Sequence, residues 1–215
     1  MELAKTQIYV ILALRSKGKF TFLTSENIAA GIILNGLFEM LDEGIVVADS
    51  KGRLKIEKGL PGKYDYLYPL YTNIKCTPTK TIHKWFEMYA YNIGQKDVKN
   101  LVNSIVDSLR QKSCIDISVN NGILRKKIRY LVKSDALEVA EETYKKMVIG
   151  GSSEGDIVFA AVLNANKLDM GIVKTKEVQE RISSFKRTKI WKYAVDCVRQ
   201  IENQSFNVQL SSYQP

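Results

Sequence analysis

Ile8, Ile11, Leu12 and Arg15 continue a helical spacing from Leu3, and Lys17-Gly18-Lys19 ends it. Ser25 stands where an N-cap would, with Glu26 in the first turn. Ile28, Ile32, Leu34, Leu37, Phe38 and Leu41 then form an apolar face so broad that the second helix is expected to be largely buried. Gly31 and Gly36 on that helix allow a neighbour to come close. After Gly44 the period shortens: Ile45-Val46-Val47 and Leu54-Lys55-Ile56 flank Asp49-Ser50-Lys51-Gly52, which predicts a hairpin.

The same grammar returns downstream. A helix from about Asp97 to Lys112 points Val98, Leu101, Val102, Ile105, Val106 and Leu109 inward. It leads into Cys114-Ile115-Asp116-Ile117, which turns at Asn120-Asn121-Gly122 and returns as Ile128-Arg129-Tyr130-Leu131-Val132. Between the two units, Leu60-Pro61-Gly62 opens a connection, the Tyr64–Tyr71 segment is expected to be helical despite Pro69, and Pro78 precedes a helix with Trp85, Phe86 and Tyr89. Ser134 can cap a helix through Met147, and Gly150-Gly151-Ser152-Ser153 is the clearest break in the chain. Helices from Asp156 to Leu168, Lys176 to Phe185 and Ile190 to Ile201 complete the pattern. The expected class is mainly α, a single helical domain over 1–202 with two or more small hairpins, followed by a flexible tail over 203–215.

Composition narrows the classes. With 45% hydrophobic and 26% charged residues in 215 positions, the chain can bury a core of ordinary size. No run approaches the roughly 18 apolar residues that span a bilayer, because Asn35 and Glu39 break the longest one. The start shows no secretory signal and no myristoylation glycine, and Tyr-Gln-Pro at the end is no prenylation box. Cys76, Cys114 and Cys197 are odd in number and far apart, as free thiols in a reducing cytosol would be. A cytoplasmic protein, peripheral to the membrane where it meets one, is expected.

Candidate chemistry is sparse. The single histidine, His83, would have to serve any Ser or Cys triad, and no Gly-x-Ser-x-Gly elbow accompanies it. The cysteines lack the paired spacing of a zinc site. Gly59-Leu60-Pro61-Gly62-Lys63 fails as a phosphate loop because Pro61 removes an amide donor and no Ser or Thr follows. No catalytic set, metal or cofactor is expected, and the chain reads as a non-enzyme.

The net charge of +9 changes the picture, since it calls for an acidic partner. Two clusters carry it: Arg125-Lys126-Lys127-x-Arg129 on the second hairpin, and Lys186-Arg187-x-Lys189 before Trp191 and Lys192. Either can meet lipid phosphates or a nucleic-acid backbone, and either can simply solubilise the surface. A helix followed by a basic hairpin is also the plan of a winged-helix DNA reader. Lys99, Asn103, Asp107, Ser108 and Arg110 would then face the groove, an indifferent recognition surface.

Several segments, taken in order, resemble the Golgi phosphoprotein 3 family. These are the Ile-Tyr-Val-Ile-Leu-Ala-Leu-Arg run with its Lys-Gly-Lys turn, Ala29-Ala30-Gly31 through Leu37-Phe38-Glu39-Met40-Leu41, and Gly44-Ile45-Val46. Leu60-Pro61-Gly62, Trp85, Leu109 with Cys114-Ile115, Asp156 to Leu168 and Trp191 to Val198 continue the match over nearly the whole chain. The resemblance, of a prokaryotic type, implies a compact helical domain with small hairpins. Eukaryotic members are peripheral Golgi proteins that bind phosphatidylinositol 4-phosphate and hold glycosyltransferase tails, sometimes as oligomers. Of the family's headgroup cations, Lys99 matches one arginine, whereas Val102 and Ile32 or Ile33 stand at the others, and no Trp precedes Trp85. The expected role is therefore an adaptor that binds anionic lipid headgroups or acidic protein tails. Its candidate site is Lys99, Arg125, Lys126, Lys127 and Arg129; homo-oligomers are a further expectation, and nucleic-acid binding is the alternative.

Overall fold

The computed structural model describes residues 2–77, 79–90, 95–121, 126–150, 153–169, 171–184 and 189–211. Side chains at 90, 95, 120, 121, 126, 127, 175, 184, 189, 190 and 204–211 are outside that description.

Three helices are apolar nearly all round and occupy the centre: α1 (Lys5–Lys17), α3 (Glu26–Asp42) and α8 (Glu154–Ala165). In α1 every residue from Thr6 to Leu14 is buried, and in α3 every residue from Ile28 to Met40. A helix without a polar face can only sit inside others. The three meet at Gly31, where a Cβ would run into Tyr9 and Val162, so helix packing this close requires glycine there. Around them lie α2 (Phe20–Leu23), α4 (Tyr68–Cys76), α5 (Ile82–Ala90), α6 (Gln95–Gln111), α7 (Ser134–Gly150), α9 (Thr175–Ser184) and α10 (Lys189–Ser211). The buried side chains form one hydrophobic cluster.

Two antiparallel hairpins complete the chain, β1 (Val46–Ala48) with β2 (Leu54–Ile56) and β3 (Ile115–Asn121) with β4 (Lys126–Val132). The first turns where the sequence predicts it: Asp49 accepts from the Lys51 and Arg53 amides at 2.8 and 2.9 Å, and Gly52 has φ +74°. Tyr193 packs directly on Gly52, tying this turn to α10. The Tyr-rich segment divides into a 3-10 turn, Gly62–Leu67, and α4. Pro69 is tolerated because it lies in the first turn of α4, where its missing N–H has no partner to lose. The helix α10 continues beyond Ile201, into the stretch expected as a tail. No helix among the described residues is long and apolar enough to cross a membrane.

Candidate functional site

Alternation along β3 and β4 sorts the second hairpin into two faces. The register pairs Ile115 with Val132, Ile117 with Tyr130 and Val119 with Ile128 on one face. Asp116 with Leu131 and Ser118 with Arg129 lie on the other. At the base the apolar face is core: Ile115 is buried, and Tyr130 and Val132 pack partly against the cluster. Farther along the same face leaves the body. Ile117 is 37% exposed, Val119 50% and Ile128 49%, and Leu131 on the opposite face is 51% exposed. Among the described residues, only Tyr68 and Ile149 are other large hydrophobics this open. The hairpin is thus a ribbon that carries unpartnered apolar side chains away from the core.

The corner between α1 and α2 is fastened to this ribbon. Gly18 caps α1 with φ +58°, and its carbonyl accepts the Tyr130 amide at 2.9 Å along the edge of β4 that does not pair with β3. A Cβ on Gly18 would lie 3.0 Å from the Tyr130 carbonyl oxygen, so both the dihedral and the space demand glycine. Phe20 packs on Tyr130 with ring centroids 6.3 Å apart, and the Lys17 ammonium sits 4.8 Å from the Phe22 ring centroid. Lys17, Lys19 and Arg129 are all exposed.

Charge pairing separates these cations from others. Lys133 at the ribbon's base reaches Asp116 at 3.7 Å, Arg53 holds Asp49 at 2.7 Å and Arg110 holds Asp107 at 3.4 Å. Among the described residues no carboxylate is within ion-pair distance of Lys17, Lys19 or Arg129. Of the expected site, Arg129 belongs to this surface, and Lys126 and Lys127 open β4 opposite Asn121 and Asn120. Arg125 lies outside the described residues, as do Lys186 and Arg187 of the second cluster. Lys99 is exposed in the first half of α6, but about 18 Å along the helix axis from Gln111, after which the chain enters the ribbon. The backbone contact at Tyr130 brings the corner that carries Lys17 and Lys19 to β4. The signal for that corner is in the sequence, where Lys-Gly-Lys-Phe-Thr-Phe interleaves cations with aromatics, but only a contact distant in sequence joins it to β4.

Two other constellations bear on chemistry. His83 lies between Cys197, 3.8 Å from its Nδ1, and Glu87, 3.1 Å from its Nε2. That order is nucleophile, base and orienting carboxylate. The Cys197 thiol is nevertheless fully buried, points at the Tyr193 carbonyl oxygen at 3.3 Å, and is pushed up to about 12 by burial and the nearby Asp196 and Glu87 carboxylates. Burial of this kind favours the protonated thiol and keeps it from solvent.

A cleft of about 250 Å3 lies among Lys5, Glu39, Asp42, Glu43, Lys63 and Asp156. Its charges are spent on one another. Lys5 meets Asp42 at 2.5 Å and Asp156 at 3.1 Å, and Lys63 meets Glu43 at 3.5 Å. Glu39 accepts from the Thr6 amide at 3.1 Å, the Thr6 hydroxyl at 2.5 Å and the Tyr66 hydroxyl. Burial raises its pKa against the pull of those donors. Among the described residues no group of three His, Cys, Asp or Glu could hold a metal ion. No protein-family model matches the chain, and no match to a curated protein is found.

Proposed function

We propose that this protein is a non-enzymatic peripheral adaptor that docks reversibly on anionic bilayers through the β3–β4 ribbon. The observation that carries the reading is the open apolar row of Ile117, Val119 and Ile128 on a ribbon whose Arg129 has no carboxylate within ion-pair distance among the described residues. An apolar row on one face and a cation on the other suit a ribbon lying in the boundary of an acidic membrane, where the row enters the acyl region and the arginine reaches back to phosphates. The magnitudes agree with reversible docking. Arg129 contributes about 1 kcal/mol near an acidic leaflet. Burying the rest of three half-exposed aliphatic side chains adds about 3 kcal/mol. The sum of about 4 kcal/mol corresponds to a dissociation constant of about 1 mM.

The resemblance to the Golgi phosphoprotein 3 family supports the same class of role, and a prokaryotic-type place in that family is part of the proposal. Acidic headgroups are the favoured ligands. A DNA-reading role gains nothing from α6, whose Arg110 is neutralised by Asp107 and whose Ser108 hydroxyl is held by Gln7.

Co-sedimentation with vesicles of phosphatidylcholine alone, or with about one third phosphatidylglycerol, tests it. Binding to the acidic vesicles only, abolished by Val119→Ser with Ile128→Ser and weakened about ten-fold or more by Arg129→Glu, is expected. Equal pelleting with both vesicle types would overturn the proposal.

A further inference from the structure

The corner between α1 and α2 buries Leu23 and packs Phe20 and Phe22 against the core, leaves Lys17 and Lys19 exposed, and lies against the ribbon through backbone contact. We propose that this corner is a second bilayer contact, with Phe20 and Phe22 entering the interface as aromatic anchors and Lys17 and Lys19 engaging lipid phosphates. The inference rests on the docking proposed above and adds to it an orientation: the protein lies on ribbon and corner together.

Three observations support this. The corner is fixed to β4 by the Tyr130–Gly18 hydrogen bond of 2.9 Å, so the two cannot approach a flat surface independently. Its aromatic side chains pack against the core on one side and are only partly covered on the other, where Phe20 meets Tyr130 and the Lys17 ammonium lies over the Phe22 ring. A lysine covering an aromatic face on the solvent side can swing to a phosphate and release the ring to the acyl boundary, since its flexible stem allows both positions. Finally, among the described residues no carboxylate lies within ion-pair distance of Lys17 or Lys19 to compete with phosphate, unlike Lys133 beside Asp116. Phenylalanine flanked by lysine is the composition of segments that settle at the headgroup boundary. The occupant is an acidic bilayer, because a free phosphate would leave the aromatics without a role.

The test uses the full chain carrying Phe22→Trp and acidic vesicles with brominated acyl chains. Trp85 and Trp191 are buried and provide the internal reference in the unmodified chain. The expected result is a new emission component in Phe22→Trp that brominated lipid quenches and that phosphatidylcholine vesicles leave unchanged. Independently, Lys17→Ala with Lys19→Ala should weaken vesicle binding about thirty-fold, from about 1 kcal/mol per cation. Quenching at Val119→Trp without quenching at Phe22→Trp, or unchanged binding by the double alanine variant, overturns the corner contact and leaves ribbon docking intact. Failure of the unmodified chain to bind acidic vesicles overturns both.

Discussion

Gly31 and Tyr9 show how one atom can decide a helix crossing. The Cβ of an alanine at 31 would meet the Tyr9 hydroxyl, which itself receives the Asn166 amide at 2.9 Å. Gly31→Ala is expected to cost about 1–3 kcal/mol, the usual range for overpacking a tight core. Adding Tyr9→Phe should return part of that loss, because the offending oxygen is gone; urea unfolding of the single and double variants measures the coupling. Glu39 makes a prediction of a different kind. Its pKa is raised by burial, so the folded state holds its proton more tightly than the unfolded chain does. The stability this provides is present below the ordinary carboxylate value and is lost as pH rises through the folded value. The stability difference between Glu39→Gln and the unmodified protein should therefore shift in favour of the variant as pH climbs above about 4.5. A difference independent of pH would refute it.

At the scale of elements, helix ends and the ribbon behave differently. Ser153 caps α8 by accepting the Asp156 amide at 3.0 Å while its own hydroxyl reaches Asp42 at 3.0 Å. Asp42 also accepts the Gly155 amide at 3.3 Å, so a carboxylate on α3 helps close the start of α8. Ser153→Ala should lower stability by about 1 kcal/mol, read as a lower melting temperature. The ribbon's exposed row is the converse case. Ile117→Ser and Ile128→Ser should change stability by no more than about 0.5 kcal/mol each, since little burial is lost. Ser25 qualifies what sequence can say of caps. It occupies the N-cap position of α3, as its residue type predicts, yet its hydroxyl donates back to the Phe22 carbonyl at 2.6 Å. Position followed from composition, but partner choice depended on where the α2 turn lay.

Over the whole molecule, the excess of +9 matters less than how it is paired. Lys5, Arg15, Arg53, Arg110 and Lys133 face carboxylates, while Lys17, Lys19 and Arg129 are exposed and have no carboxylate within ion-pair distance among the described residues. Salt at about 0.5 M reduces the Debye length to roughly 4 Å and should remove most vesicle binding while leaving the melting temperature little changed. Lys99→Glu should leave vesicle binding unaltered, in contrast to Arg129→Glu, because the two sit at different ends of α6 and its ribbon. Equal losses in both variants would instead place the headgroup contact on α6.

Apolar period alone marked α3 as a buried helix, since Ile28–Met40 has no face fit for water. Turn chemistry alone located the first hairpin, because Asp49 to Gly52 favour tight reversal, whereas Asn120 and Asn121, expected in the second turn, are paired residues of β3, and Gly122 lies outside the described residues. Which cations share a surface was beyond any such local pattern. Tyr130 and Gly18 are far apart along the chain and meet only after α1 has become the centre of the fold, and His83 likewise finds Cys197 only when α5 and α10 pack. Local dihedral preferences and hydrophobic periodicity are written residue by residue, whereas the grouping of charges depends on long-range packing, which only the folded chain decides.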